Sequence, residues 1–225
     1  MPVERLRSVA ILPAYNEASR IQPVLHAVRQ SGRFDRITVV CDGCEDHTAQ
    51  AARTVVGVEV IELPVNRGKA AAMAIGLQLD SAELVTFIDA DLRGLRAEHL
   101  HQLVEPVASG QCDMTVGVFR GGHLWSDAAH HVAPFLSGQR TLRRELFERI
   151  GAVDSMRMGV EVALNEAARR GAARVQHVRL RGISNCHKEQ KLGLRRGVME
   201  RLRMYREIAH TWREVRRGLS IDPLP

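Results

Sequence analysis

Aromatic residues are scarce, at 4% of 225 positions, and no zinc finger or RNP aromatic motif of a nucleic-acid-reading module accompanies them. Cysteine is also rare, with only four in the chain, too few for the disulfide framework of a small secreted scaffold; reduced thiols are expected. The longest nearly apolar runs, Val9 to Tyr15 and Ala70 to Leu77, fall far below the roughly 18 residues that span a bilayer. Pro13 and Asn16-Glu17 cut the first run short of a secretory core, and no small-residue cleavage site follows. A cytoplasmic chain is therefore expected. What is present is ordinary: 45% hydrophobic and 26% charged residues suit a soluble folded domain and exclude disordered and collagen-like classes.

The formal charge of +6 is unevenly placed. Between Cys186 and Arg217 lie ten basic and four acidic residues, so the whole excess belongs to the C-terminal segment and the rest is balanced. In that segment Leu194, Val198, Leu202, Tyr205, Ile208, Trp212, Val215 and Leu219 recur every three or four positions, predicting a long amphipathic helix with an arginine-rich opposite side. Packing against the main body or a second subunit (a homodimer) is one use for it, and lying on an anionic membrane with Trp212 and Tyr205 at the headgroups is another. Arginine-rich helices also neutralise nucleic-acid phosphates, but no recognition fold supports that here. The division expected is a main domain over 1–190 and a basic helical extension over 191–225.

Along the main domain, short β-rich runs alternate with helical patterns, which predicts an α/β fold with a mostly parallel central sheet flanked by helices. Strands are predicted near Val9–Pro13, Ile37–Cys41, Val58–Leu63, Leu84–Ile88, Met114–Val118 and Arg174–Leu180. Helices are predicted over Ala18–Arg29, His47–Val55, Lys69–Leu79, Ala97–Ala108, Thr141–Ile150 and Val160–Arg170, with Ser19, Asp46 and Asn66 at or near caps. Phe119 to Gly138 reads as a long irregular segment of the kind used for lids and binding loops. Its His123, His130 and His131 suit surface or acceptor contacts, and Trp125 suits packing or sugar stacking.

In open parallel sheets, ligands bind beyond the carboxyl ends of the strands. Four strand ends here run into polar sequence: Pro13-Ala14-Tyr15-Asn16-Glu17, Cys41-Asp42-Gly43-Cys44-Glu45-Asp46, Asn66-Arg67-Gly68-Lys69 and Asp89-Ala90-Asp91. Two carboxylates one residue apart at the end of an apolar strand repel each other unless a cation intervenes. Mg²⁺ or Mn²⁺ is commonly held by one or two carboxylates together with substrate phosphates. Lys69 follows Gly68 at a helix start, a place that favours phosphate. Leu63 and Ala70 break a Walker A reading, and no G-x-G-x-x-G occurs, so P-loop and Rossmann dehydrogenase functions are disfavoured. Cys41 and Cys44 form a Cys-x-x-Cys, but neither a thioredoxin context nor a second zinc-binding pair surrounds them, and they read as small residues of a nucleotide loop.

Pro13-Ala-Tyr-Asn-Glu17, Cys41-Asp-Gly-Cys-Glu-Asp-His-Thr48, Asn66-Arg-Gly-Lys69 and Phe87-Ile-Asp-Ala-Asp-Leu92 together resemble the family 2 glycosyltransferases of the GT-A fold. The likeness is closest to the branch with polyprenyl-phosphate sugar synthases and glucosyl-3-phosphoglycerate synthases, and it spans roughly residues 8 to 190. It implies a metal-dependent hexosyltransferase that uses a UDP- or GDP-sugar and a phosphate-bearing acceptor, either a lipid phosphate or a small metabolite. The resemblance places Pro13, Tyr15, Glu17 and Asp42 at the base and ribose, and Lys69 near the base or phosphates. It makes Asp89-Ala90-Asp91 the DxD motif, with Asp89 and Ala90 at the donor and Asp91 at the metal. Cys44 stands where the family commonly has serine. Gln139 and Arg140 are the implied acceptor contacts, and Glu161 binds sugar hydroxyls or serves as a base. His187 would complete the metal sphere, and a register shift of two residues would hand that position to Asn185. A sugar nucleotidylyltransferase is the alternative enzyme, although its glycine-rich opening loop is missing. A non-catalytic nucleotide-sugar or membrane-binding module is the alternative of another class, opposed by the intact Asp89, Asp91 and Lys69.

Overall fold

The computed structural model describes residues 6–120, 137–150 and 159–185. Segment 121–136, His187 and the expected C-terminal helix lie outside them. Seven strands form the central sheet: β1 (Ser8–Ala14), β2 (Arg36–Asp42), β3 (Glu59–Leu63), β4 (Leu84–Phe87), β6 (Met114–Arg120), β7 (Arg140–Arg143) and β8 (Val175–Arg181), in the order β3-β2-β1-β4-β7-β6-β8. Every pairing is parallel except those of β7, which runs antiparallel to both β4 and β6. A second ribbon pairs β5 (Leu92–Arg93) with β9 (Ser184–Asn185).

The helices are α1 (Ile21–Gln30), α2 (Thr48–Arg53), α3 (Lys69–Gln78), α4 (Ala97–Ala108), α5 (Arg144–Glu148) and α6 (Val160–Arg170). They cover both faces of the sheet, which is why β1, β2 and β4 read as nearly unbroken apolar runs rather than alternating ones. The side chains of β1 still alternate between two cores. Val9 and Ile11 join Met73, Phe87, Phe147 and Leu164 on one face, and Ala10 and Leu12 join Leu25, Val28, Leu100 and Leu103 on the other. Fully burying such side chains is worth about 1.5–3 kcal/mol each, and that burial holds the strand ends in register.

Several local expectations change. Residues 140–143 form a strand rather than the start of a helix, because they fill the gap between β4 and β6 and satisfy both edges; Thr141 Oγ1 meets Thr86 Oγ1 at 2.8 Å inside the sheet. The helix then covers only Arg144–Glu148. Strand β6 runs on through Phe119 and Arg120, residues assigned above to the irregular segment. Helix α1 begins at Ile21 without a side-chain cap, so Ser19 is not its cap. Asp46 acts near the start of α2, where its carboxylate accepts the Thr48 N–H at 3.0 Å. Asn66 does not cap α3, whose N-cap position is Gly68; its amide instead donates to the Asp42 carbonyl at 3.1 Å.

Gly76 sits where α3 crosses β1, and a Cβ placed there would come within 2.7 Å of the fully buried Ile11 Cγ2. Helix propensity alone predicts that Gly76→Ala stabilises by about 1 kcal/mol. Overpacking against a core β-branched side chain costs about 1–3 kcal/mol, so a net loss of stability is expected in urea melts. A gain would show that α3 can shift away from the sheet.

Candidate active site

The carboxyl ends of β1, β2 and β4 present one polar edge, and each loop on it is fixed by a buried side chain. Asp42 closes β2 and is almost fully buried. Its two oxygens accept the backbone N–H groups of Arg67 and Gly68, each at 2.7 Å. The Asn66–Gly68 loop is thereby tied to the end of β2. Gly43 has φ +66°, and a Cβ on it would lie 2.4 Å from the Asn66 nitrogen, so the two loops meet backbone to backbone at a position only glycine fills without strain.

The first loop is anchored in the same way. Asn16 adopts a left-handed φ of 56°, and its Oδ1 accepts the Glu45 N–H at 2.9 Å. The Glu17 N–H donates to Thr48 Oγ1 at 2.7 Å, and the Glu17 carboxylate accepts Arg20 Nε at 2.6 Å. Pro13 is part of β1, and Tyr15 beyond it is 45% exposed.

The charged centre is built around Lys69, the first residue of α3. Its Nζ donates to Asp89 Oδ1 at 2.7 Å and to Glu161 Oε1 at 2.8 Å. Gln139 Nε2 donates to the other Asp89 oxygen at 2.7 Å, and Ser137 Oγ donates to Gln139 Oε1 at 3.0 Å. Asp89 thus has both oxygens engaged, while Ala90 is buried and Asp91 half-buried in the turn that follows. Gly138 lets the loop before β7 lie over the ion pair, since a Cβ there would reach Lys69 Nζ at 2.5 Å.

Burial by itself would discharge Lys69, but the charges of Asp89 and Glu161 outweigh it and hold the ammonium above the usual lysine range. Burial likewise opposes ionisation of Asp89, yet Lys69 and the Gln139 amide keep its carboxyl below the usual range. Arg140 is 0% exposed. Its guanidinium donates to the Ser137 carbonyl at 2.7 Å and, more loosely, to the Glu161 carbonyl and Asn165 Oδ1 at 3.4 and 3.3 Å. Burial pushes it down to about 10 against the opposing pull of Glu161 and Asp89. Gln139 and Arg140 therefore act on this centre from beneath, through Asp89 and the 137–138 turn.

Lys69, Asp89, Gln139 and Glu161 are thus brought into one hydrogen-bonded group, with Asp42, Glu17 and Tyr15 on the adjoining loops. Ser137, which lies in the same segment as Gln139 and Arg140, joins the network, and so does Asn165, which was not singled out in the sequence. For Asn165 the signal available was its place four positions beyond Glu161 on the same helix face. Among the described residues no three His, Cys, Asp or Glu side chains come together to hold a metal ion. Asp91, half-buried in the turn after β4, is a hard oxygen donor of the kind Mg²⁺ or Mn²⁺ takes, with remaining ligands drawn from substrate phosphates and water.

The fold and this edge define an α/β domain with a polar ligand-binding edge at the carboxyl ends of its parallel strands. Residues 9–168 match the model of glycosyl transferase family 2, and the chain belongs to that family. It is 32% identical over 109 residues to glucosyl-3-phosphoglycerate synthase of Mycobacterium tuberculosis, covering 45% of this chain and 34% of that protein. It is 29% identical over 126 residues to dodecaprenyl-phosphate galacturonate synthase of Rhizobium johnstonii, covering 52% and 37%. The matched stretches span little more than a third of the length of these two relatives. A crystal structure of the mycobacterial synthase in complex with Mn²⁺, uridine diphosphate and phosphoglyceric acid superposes with a TM-score of 0.74 at 24% identity, over 93% of this chain and 78% of that one. This likeness carries the fold.

Removing one partner of a fully buried ion pair costs about 3–5 kcal/mol. Lys69, Asp89 and Glu161 keep 29%, 20% and 15% of their side chains exposed, so for Lys69→Met a loss of about 2–4 kcal/mol is expected at neutral pH. Asp89 is ionised more readily in the folded protein than in the unfolded chain, so its contribution is present at neutral pH and fades as pH falls through its depressed value. In the variant Asp89 lacks its cation and protonates readily. The gap in melting temperature between wild type and variant should therefore narrow below about pH 4, and a gap constant from pH 7 to 3 would show that the cluster is not an ion pair.

Proposed function

We propose that this protein transfers a hexose from a UDP- or GDP-sugar to a phosphate-bearing acceptor, with Mg²⁺ or Mn²⁺ as cofactor. The observation that carries the reading is the Lys69–Asp89–Glu161 cluster, seated at the strand ends where such folds bind their donors. Family membership supports the reaction class. The relatives' names support the acceptor chemistry, because one makes a sugar derivative of a phosphoglycerate and the other of a polyprenyl phosphate. A phosphate group is what their acceptors share. The solved relative with uridine diphosphate supports UDP over GDP.

In this reading Tyr15, Glu17 and the Asp42-held loop receive the base and ribose beside Pro13, and Lys69, Asp89 and Ala90 line the sugar-diphosphate. Asp91 and His187 hold the metal. The pairing of Leu92 with Asn185 supports that assignment, since it brings the chain just before His187 alongside the residue that follows Asp91. A divalent cation bound there supplies positive charge to the departing diphosphate.

A phosphate acceptor, with a second pKa of about 6, is already nucleophilic at neutral pH and needs no general base. Glu161 is accordingly assigned to accept hydrogen bonds from sugar or acceptor hydroxyls. Gln139 and Arg140 keep Asp89 and the 137–138 turn in place for the acceptor. No helix among the described residues is long and apolar enough to cross a membrane, and we assign the basic 191–225 segment to an anionic surface when the acceptor is a lipid.

Thermal-shift measurements with UDP, GDP and their sugars, with and without Mn²⁺, test the reading. A ligand present at 100 times its dissociation constant stabilises by about 2.7 kcal/mol. A metal-dependent shift with one nucleotide is expected in wild type and should be lost in Asp91→Ala. An Asp91→Ala protein that responds like wild type would remove Asp91 from the metal site.

A further inference from the structure

The Cys41-Asp42-Gly43-Cys44 turn carries a second chemistry that sugar transfer does not use. Cys41 is buried at 1% exposure in β2, and Cys44 is partly exposed on the turn that follows. The turn is tight: the Gly43 N–H donates to the Cys41 carbonyl at 3.0 Å, and the positive φ of Gly43 folds the chain back so that Cys44 packs against the same hydrophobic core that buries Cys41. As a thiol, Cys44 donates to the Ala14 carbonyl at 3.4 Å, which links this turn to the end of β1.

We propose that Cys41 and Cys44 form a reversible disulfide, a redox-sensitive site that controls the conformation of the loop held by Asp42. The surroundings favour this over inert thiols. The neighbouring Cys41 thiol, the Asn16 backbone and the Thr48 hydroxyl hold the Cys44 thiol down to about 7, and the Cys44 thiol together with burial pushes that of Cys41 upward. The exposed member is the readily ionised nucleophile and the buried one the resolving thiol, as reversible oxidation requires.

With a peroxide as oxidant, the Cys44 thiolate attacks one peroxide oxygen, the O–O bond breaks, and the other oxygen leaves as water after taking a proton. Cys41 then attacks the resulting sulfenic sulfur, the S–O bond breaks, and a second water leaves. Two thiols lose two electrons and two protons, and the peroxide gains both.

Drawing Cys44 onto Cys41 removes its hydrogen bond to Ala14 and moves the residues on either side of Gly43. Asp42 lies inside that turn with both oxygens on Arg67 and Gly68, so the disulfide loosens the Asn66–Gly68 loop. The consequence for donor binding rests on the function proposed above, whereas the disulfide and the loop movement do not.

The experiment treats the full chain with hydrogen peroxide, blocks remaining thiols and digests with trypsin. Peptide Ile37–Arg53 contains both cysteines and no internal Lys or Arg. It is expected to become lighter by two hydrogens, to resist alkylation, and to recover both properties with dithiothreitol. Amide exchange at Arg67 and Gly68 should accelerate in the oxidised protein. UDP affinity measured with Mn²⁺ should fall by about fivefold or more, the low end of coupling between sites, and recover on reduction.

In C44S the peptide should keep its mass and UDP affinity should ignore peroxide; in C41A oxidation should halt at Cys44. Should either variant fail to fold, the wild-type mass and exchange data still decide. Thiols that stay alkylatable, pairing of either with Cys186, or a disulfide that leaves exchange at Arg67 and Gly68 unchanged would overturn the proposal. Absence of UDP binding in the reduced protein would instead overturn the assigned donor while leaving the disulfide measurement intact.

Discussion

One ammonium group decides how the candidate site is arranged. Lys69 lies at the start of α3, Asp89 just beyond the end of β4, and Glu161 in the first turn of α6. Two carboxylates brought that close with little water would repel each other strongly enough to reprotonate or separate. The ammonium between them converts the repulsion into two charge-assisted hydrogen bonds. Helices α3 and α6 are thereby pinned to the same strand end. The amide of Gln139 satisfies the remaining Asp89 oxygen, which fixes the carboxylate plane as well as its position.

A second constraint of the same kind operates one loop away. Asp42 is a buried carboxylate that, among the described residues, has no cation beside it and is stabilised by two backbone N–H groups. A carboxylate that takes its hydrogen bonds from main chain holds a loop's path rather than a side chain's position. Both anchors depend on the sheet, because only strands buried on both faces keep their ends aligned well enough for partners from separate loops to meet. The cores formed by Ile11, Phe87 and Met73 on one face and by Leu12, Leu25 and Leu100 on the other supply that alignment.

Much of this was legible in the sequence, and the remainder was hidden for identifiable reasons. Apolar runs at β1, β2, β4 and β6 announced buried parallel strands, and polar residues directly after the first, second and fourth marked the ligand edge. Residues 140–143 did not read as a strand, because Thr141 and Leu142 owe their conformation to the vacancy between β4 and β6 and not to local pattern. The β5–β9 ribbon has two residues a side, too short to leave a periodic signal. The Lys69–Glu161 contact joins positions 92 apart, and nothing in spacing specifies such a pairing. Asp42 was legible as a site residue, but its partners are backbone N–H groups, which every sequence possesses and no motif displays.

The charge around this centre bears on how a donor can enter. Lys69 and Arg140 oppose Asp89, Asp91 and Glu161, so the formal balance of these groups is one negative charge. A nucleoside diphosphate adds further negative charge at short range, where Coulomb energies at intermediate dielectric are on the order of several kcal/mol per pair. Lys69 cannot compensate for it fully, since its ammonium is already shared by two carboxylates. In the proposed reaction the donor is therefore favoured only when a divalent cation enters with it. The same balance explains why Lys69 is tied down: an ammonium free to follow the diphosphate would leave Asp89 and Glu161 facing each other, and the loop over Gly138 would lose the pair on which it rests.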